Sequence, residues 1–221
     1  MRKIIAAAFV SLDGVMQAPG NPDEDPTGGF ALGGWMAGYA DEPVGQRIEA
    51  LFSGSFDLLL GRRTYDIFAA YWPFAEGDHE SIGRRFDRAV KYVVTGSDRP
   101  LDWANSRRLA DIDAVAEVRR GEGSPLIVQG SSTLYPQLLA AGLVDRLVLM
   151  TFPLILGTGK RLFGAGTPAG SMRMVEHEVT PAGNIVAAYE PDGAVEPGTF
   201  VTEPPSAAEL ERRERISSGN W

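Results

Sequence analysis

Three short segments combine the residue types that hold phosphate groups: Gly61-Arg62-Arg63-Thr64, Thr95-Gly96-Ser97 and Gly130-Ser131-Ser132-Thr133. Each follows an apolar run, namely Leu58-Leu59-Leu60, Val93-Val94 and Leu126-Ile127-Val128-Gln129, and each reads as the turn that opens the next helix. Between parallel neighbouring strands such turns gather on one sheet edge, where open α/β proteins bind ligands. Helix N-termini there offer unpaired N–H groups and partial positive charge, and glycine lets the backbone approach an anion closely. Any one of these segments also reads as an ordinary helix start. Their repetition suggests an extended ligand with several phosphates.

Arg62-Arg63 places two guanidinium forks on the first turn. A fork suits a phosphate monoester, such as the 2′-phosphate that separates NADP from NAD, better than a ribose hydroxyl. Other chemistries are excluded by residue type. With no Cys there are no thiolate zinc sites, disulfides or Cys nucleophiles, and with only His79 and His177 a three-His metal site is impossible, so no metal site is expected. His177 alternates in phase with Val175 and Val179, as a packed strand residue does, and His79 sits in a polar stretch. Gly157-Thr158-Gly159 begins like a dinucleotide fingerprint, but Leu162 stands where its third Gly belongs, and Lys160 is followed by Arg161 rather than the Ser or Thr of a P-loop.

The elements that must carry these turns are short apolar strands alternating with helices, a βαβ rhythm. Strands are expected over residues 3–10, 56–60, 91–95, 125–129, 146–153, 171–180 and 184–189, the last two forming an antiparallel hairpin across Pro181-Ala182-Gly183. Helices are expected where Val44, Ile48, Leu51 and Phe52 share one face, over 64–70, over 82–88, and over 134–141, stopped by Gly142. Residues 19–40 form a long Gly- and Pro-rich loop, more often a site cover than a passive connector. Within it, Phe30, Trp35 and Tyr39 are expected to wall a pocket.

At 221 residues and 44% hydrophobic, the chain can bury one core, so one domain with an appendage is expected. The body spans 1–191; residues 192–221 are a Pro-rich acidic tail whose Ser206-Ala207-Ala208-Glu209 is a capping-box pattern for a short helix over 206–217. Acidic residues outnumber basic ones 29 to 21, a net charge of −8 that argues against a nucleic-acid or anionic-membrane face. No apolar run approaches the ~20 residues of a membrane span, and a cytoplasmic protein is expected.

Gly61-Arg62-Arg63-Thr64-Tyr65, Ser11-Leu12-Asp13-Gly14 after the first strand, and Gly130-Ser131-Ser132-Thr133-Leu134-Tyr135 together resemble the dihydrofolate reductase-like fold. With Leu143-Val144-Asp145-Arg146-Leu147 and the run from Phe152 to Phe163 in order, the likeness is greatest to stand-alone relatives of the C-terminal reductase domain of the riboflavin-biosynthesis deaminase/reductase. The resemblance covers about residues 1–191. It implies an α/β fold with a central, mostly parallel sheet, an NADPH cofactor and a small-molecule substrate, and it suggests a homodimer.

Carried over by position, Gly61, Arg62, Arg63 and Thr64 would hold the 2′-phosphate and pyrophosphate end, with Thr95 and Ser97 along the adenosine. Gly130, Ser131, Ser132 and Thr133 would cradle the pyrophosphate, and Gly157 and Gly159 would border the substrate side. Tyr135 would stand near the nicotinamide, and Asp13 would be the candidate for proton transfer to a C=N or C=O accepting hydride. Two positions depart from these families. Dihydrofolate reductases carry a carboxylate on the first helix where this chain has Gly45-Gln46, and Ala7 stands where the riboflavin reductase has a Lys. A non-catalytic nucleotide-binding module, or another dinucleotide or a deazaflavin in the same groove, would fit the same residues.

Overall fold

The apolar runs are strands of one sheet. The computed structural model describes residues 1–219, and its strands are β1 (Ile4–Ser11), β2 (Asp57–Gly61), β3 (Lys91–Val94), β4 (Ser106–Leu109), β5 (Leu126–Gln129), β6 (Arg146–Phe152), β7 (Met172–Val179) and β8 (Ile185–Pro191). Across the sheet the order is β4-β3-β2-β5-β1-β6-β8-β7. The six strands from β4 to β6 pair in parallel, and β8 and β7 extend the sheet antiparallel. This is the mostly parallel sheet with a C-terminal hairpin expected from the sequence.

Parallel strands need crossovers on the sheet faces, which is why their residues are buried on both sides. Leu58, Leu59 and Leu60 are all fully buried, Leu59 facing one core and Leu58 and Leu60 the other. Each such side chain contributes about 1.5–3 kcal/mol of burial. One face packs under α4 (Ile112–Arg120) and α5 (Leu134–Ala140) through Val115, Tyr135 and Leu138. The other packs under α1 (Glu42–Leu51), α2 (Arg62–Tyr71) and α3 (Glu80–Arg88) through Ile48, Tyr65, Ile82 and Phe86.

Two of these elements escape the reading of the sequence. β4 is an edge strand, Ser-Arg-Arg-Leu, in which only Leu109 is buried, so it has no apolar alternation, and the Thr95-Gly96-Ser97 turn leads to it rather than to the helix expected there. α4 does carry a signal: Asp111 caps it, accepting from the Ala114 N–H at 2.9 Å, and Ile112, Val115 and Ala116 share a face. In the tail, α6 (Ala207–Ser217) forms where the capping box lies, with Ser206 Oγ accepting from the Glu209 N–H, and none of its residues is buried. The last two tail positions lie outside the described residues.

The loop before α1 is ordered by one side chain. Gln17 donates to the Asp25 and Thr27 carbonyls (2.8 and 2.9 Å) and accepts from the Lys160 N–H (2.9 Å), while its own carbonyl takes the Trp35 indole N–H (2.8 Å). Phe30 and Trp35 are thereby drawn into a core with Val15, Val44, Phe152 and Val186, Trp35 meeting Phe152 edge-on at 5.5 Å. They are core residues rather than pocket walls, because a loop folded back on the sheet supplies the packing partners that a Gly-rich sequence does not advertise. Tyr39, also expected to wall a pocket, is exposed and lines neither of the two hollows described below.

Candidate active site

β3, β2 and β5 are consecutive parallel neighbours, so their C-terminal ends bring the three phosphate-type turns together on one edge. The first and third turns lock each other. The Gly61 N–H donates to Ser131 Oγ and the Ser131 N–H donates to Thr64 Oγ1, both at 2.9 Å. Gly130 and Ser131 both take positive φ, +62° and +63°. A Cβ on Gly130 would stand 2.9 Å from Thr64 Cγ2, so glycine is required there by both conformation and space. Ser131, with a side chain at positive φ, holds strain of order 1 kcal/mol or more, offset by its two hydrogen bonds.

The result is a cleft of about 360 Å³ lined by Gly61, Arg62, Arg63, Thr64, Thr95, Gly96, Ser131, Ser132 and Thr133, with Gln137, Lys160, Glu24 and Asp25 completing the wall. A second hollow of about 450 Å³ shares Ser132, Thr133 and Gln137 and continues to Arg161 and residues 164–166, so the two form one groove. No side chain caps α2. Its first-turn N–H groups, which lack intrahelical acceptors, therefore open on the cleft. Ser132 and Thr133 place hydroxyls at the junction of the two hollows with no hydrogen bond to the described residues.

Arg62 and Arg63 have different situations. Arg62 donates to Asp66 (2.9 Å) and to the Arg99 carbonyl (2.8 Å), which also accepts from Arg108 (2.7 Å). Arg62 and Arg108 thus meet at the Arg99 carbonyl, and Asp66 pairs with Arg62 and Arg99; of these three arginines Arg62 lines the cleft. Arg63 is half exposed, and its one ionic neighbour is Asp25 at 3.9 Å. Gln137, Lys160 and Asp25 also line the cleft but were not site candidates in the sequence: Gln137 follows the third turn on α5, and Lys160 and Asp25 come from loops far from the three turns along the chain.

Other candidates fall outside the cleft. Thr95 lines it, but Ser97 does not: the Ser97 N–H donates to Thr95 Oγ1 (3.0 Å), and its hydroxyl accepts from the Arg99 N–H, shaping the turn. Gly157 and Gly159, at φ +74° and +116°, also stand away from it. A Cβ on Gly159 would meet Val15 and Phe30 at 2.7 and 2.9 Å, so that glycine serves packing.

The two residues proposed for chemistry have structural duties. Tyr135 is fully buried in the core, its hydroxyl donating to the Ala7 carbonyl at 2.6 Å, and burial pushes its pKa up. It ties α5 to β1 beneath the sheet instead of facing the cleft. Tyr135→Phe should lower stability by about 1–2 kcal/mol, the cost of a buried hydrogen bond, while leaving ligand affinity unchanged. Thermal denaturation and titration of the variant read these separately; a large loss of binding at intact stability would return Tyr135 to the site.

Asp13 is held as a carboxylate. Ser11 Oγ donates to it at 2.6 Å, the Leu156 and Gly157 N–H groups at 3.0 and 2.9 Å, and Arg161 pairs with it at 3.4 Å. The Ser11 hydroxyl and the Leu156 N–H hold its pKa at about 2. It therefore has no proton to give near neutrality, and its oxygens fasten the 11–14 turn to the 154–161 loop. A folded pKa below the unfolded value of about 3.9 means its stabilisation is complete above about pH 4 and lost as the pH falls through about 2. The melting-temperature gap between the wild type and Asp13→Asn should follow that course. A gap that instead changes between about pH 6 and 8 would contradict it.

Burial pushes Glu24 up. It also raises Asp25, but hydrogen bonds from Lys160 and Thr27 outweigh it and leave Asp25 below its ordinary range. Among the described residues no His, Asp and Glu group is arranged to hold a metal, and no helix is long and apolar enough to cross a membrane.

An eight-stranded, mostly parallel sheet closed by an antiparallel hairpin, with a groove across the ends of β3, β2 and β5, defines a protein of the dihydrofolate reductase-like fold. Solved structures share it. A protein of Shewanella sp. PV-4, provisionally described as a riboflavin biosynthesis protein, superposes with TM-score 0.59 at 20% identity over 86% of this chain and 99% of its own. A pyrimidine reductase-like protein of Corynebacterium diphtheriae gives 0.54 at 14% identity over 86% and 92%. Dihydrofolate reductase of Enterococcus faecalis, solved with NADP(H), gives 0.54 at 13% over 86% and 96%.

The model of the RibD C-terminal domain matches residues 2–186, and the chain belongs to that family. A relative in Bacillus subtilis (strain 168), the uncharacterized protein YyaP, is 23% identical over 142 residues, 62% of this chain and 74% of its own.

Proposed function

We propose that this protein is an NADPH-dependent reductase that delivers hydride to a C=N or C=O of a small, planar molecule. The observation that carries the reading is the single groove made by three strand-end turns, with α2 uncapped and arginines at its rim. The residues suit the cofactor. Arg62 in the cleft wall offers a phosphate monoester a guanidinium fork, and Arg63 with the free Ser132 and Thr133 hydroxyls suits a pyrophosphate. Gly130 is outside the lining and packs closely on Thr64, which holds the third turn against the first.

When bound, the reduced nicotinamide supplies the hydride. The chain binds and orients it, and the loop pinned by Gln17 helps to exclude water from the groove. Asp13 and Tyr135 serve the fold, with their polar atoms committed to the protein. The proposal includes a cytoplasmic homodimer and a catalytic body over 1–191, with 192–221 as an appendage. The commitment of Asp13 and Tyr135 favours one other reading, a nucleotide-binding module without turnover. Loss of NADPH absorbance against a panel of imines, pterins, quinones and carbonyl compounds separates the two: turnover of any supports the reductase, and binding without turnover supports the module.

A further inference from the structure

Asp25 stands where a ligand phosphate would be drawn. It is nearly buried at the wall of the cleft, and its Oδ2 takes the Lys160 ammonium on one side and lies 3.9 Å from the Arg63 guanidinium on the other. Oδ1 accepts from the Thr27 hydroxyl and N–H, and the Asp25 carbonyl is held by Gln17, so the carboxylate cannot swing away freely. Gln17 also takes the Lys160 N–H, closing a ring of contacts between the loop and the 157–161 turn. The ion pair to Arg63 is the link by which this ring reaches α2 across the cleft.

We infer that Asp25 is an internal competitor for Arg63: it partly neutralises the cation in the ligand-free protein and opposes every phosphate that binds beside it. This deepens the nucleotide reading above and rests on it. A phosphate can meet the guanidinium fork with two close, charge-assisted hydrogen bonds, whereas Asp25 stands 3.9 Å from it without one, so a phosphorylated ligand wins the exchange. The contact with Arg63 is long and half exposed, and that with Lys160 is close and sheltered. Arg63 is thus the partner given up, while Lys160 keeps Asp25 in place as a standing repulsion. The device weakens occupancy and hastens release.

The test is titration of the full chain with NADPH and with adenosine 2′,5′-bisphosphate, in the wild type, Asp25→Asn, Arg63→Ala and the double variant. Asp25→Asn should bind both ligands about 5- to 20-fold more tightly, the scale of one like charge removed near 4 Å at a partly exposed site. The gain should be clearly smaller in the Arg63→Ala background, where only the direct repulsion remains. An affinity within about twofold of wild type, a weaker one, or a gain equally large without Arg63 overturns the inference while leaving the nucleotide reading intact. A wild type that binds neither ligand removes both. Should Asp25→Asn not fold, Asp25→Ser removes the same charge: it is expected to tighten binding of both ligands, and an affinity within about twofold of wild type overturns the proposal.

Discussion

Arg63→Ala is expected to weaken NADPH binding about 10- to 100-fold without unfolding the protein. The guanidinium is half exposed, lines the cleft, makes no hydrogen bond to the described residues and has one ionic neighbour at 3.9 Å, so its removal leaves no buried partner stranded. What it loses is a charge-assisted contact to phosphate, worth about 1.5–3 kcal/mol. Arg62→Ala should behave differently. That side chain is mostly buried against Asp66 and the Arg99 carbonyl, so its loss loosens the end of the cleft and costs stability as well as affinity. Isothermal titration beside thermal denaturation distinguishes the two; equal affinity in Arg63→Ala and wild type would remove Arg63 from the site.

The largest stability effect is expected far from the cleft, at Arg2. Its side chain is 3% exposed and pairs with Asp57, donates to the Ser124 carbonyl (2.7 Å) and the Tyr92 hydroxyl (3.1 Å), and stacks on the Tyr92 ring. Asp57 in turn accepts from the Val90 N–H at 2.9 Å. One guanidinium thus ties the starts of β1, β2, β3 and β5 at the edge opposite the site. Arg2→Met strands a largely buried carboxylate, which costs about 3–5 kcal/mol. For a chain of this size that is a fall of roughly 6–20 °C in melting temperature. Replacing Asp57 with Asn in the same chain should recover part of it, because the orphaned charge goes while the Val90 N–H keeps an acceptor. A fall of under about 2 °C for Arg2→Met would show the pair to be dispensable.

These two arginines also show what the sequence discloses. The strands around the site were legible because Leu58-Leu59-Leu60 and Leu126-Ile127-Val128 are buried on both faces and so are apolar without interruption. The three turns were legible because Gly, Ser, Thr and Arg directly after such runs have few other uses. The roles of Asp13 and Tyr135 were not, because the partners that occupy them, Leu156, Gly157 and Ala7, lie 143, 144 and 128 residues away. The same distance hid the Asp25–Lys160 pair, 135 residues apart. Phe30 and Trp35 misled for a related reason: the surface that buries them exists only after the loop has folded onto β6 and β8. Arg2 likewise reads as an exposed N-terminal charge until Asp57 and Tyr92 close over it.

The most direct test is titration of the unaltered protein with NADPH and NADH at one fixed, low ionic strength. A groove with Arg63 beside Ser132 and Thr133, and with Arg62 in its wall, predicts saturable one-site binding of NADPH at least about tenfold tighter than that of NADH. Equal affinities, or no saturable binding of either, would contradict it.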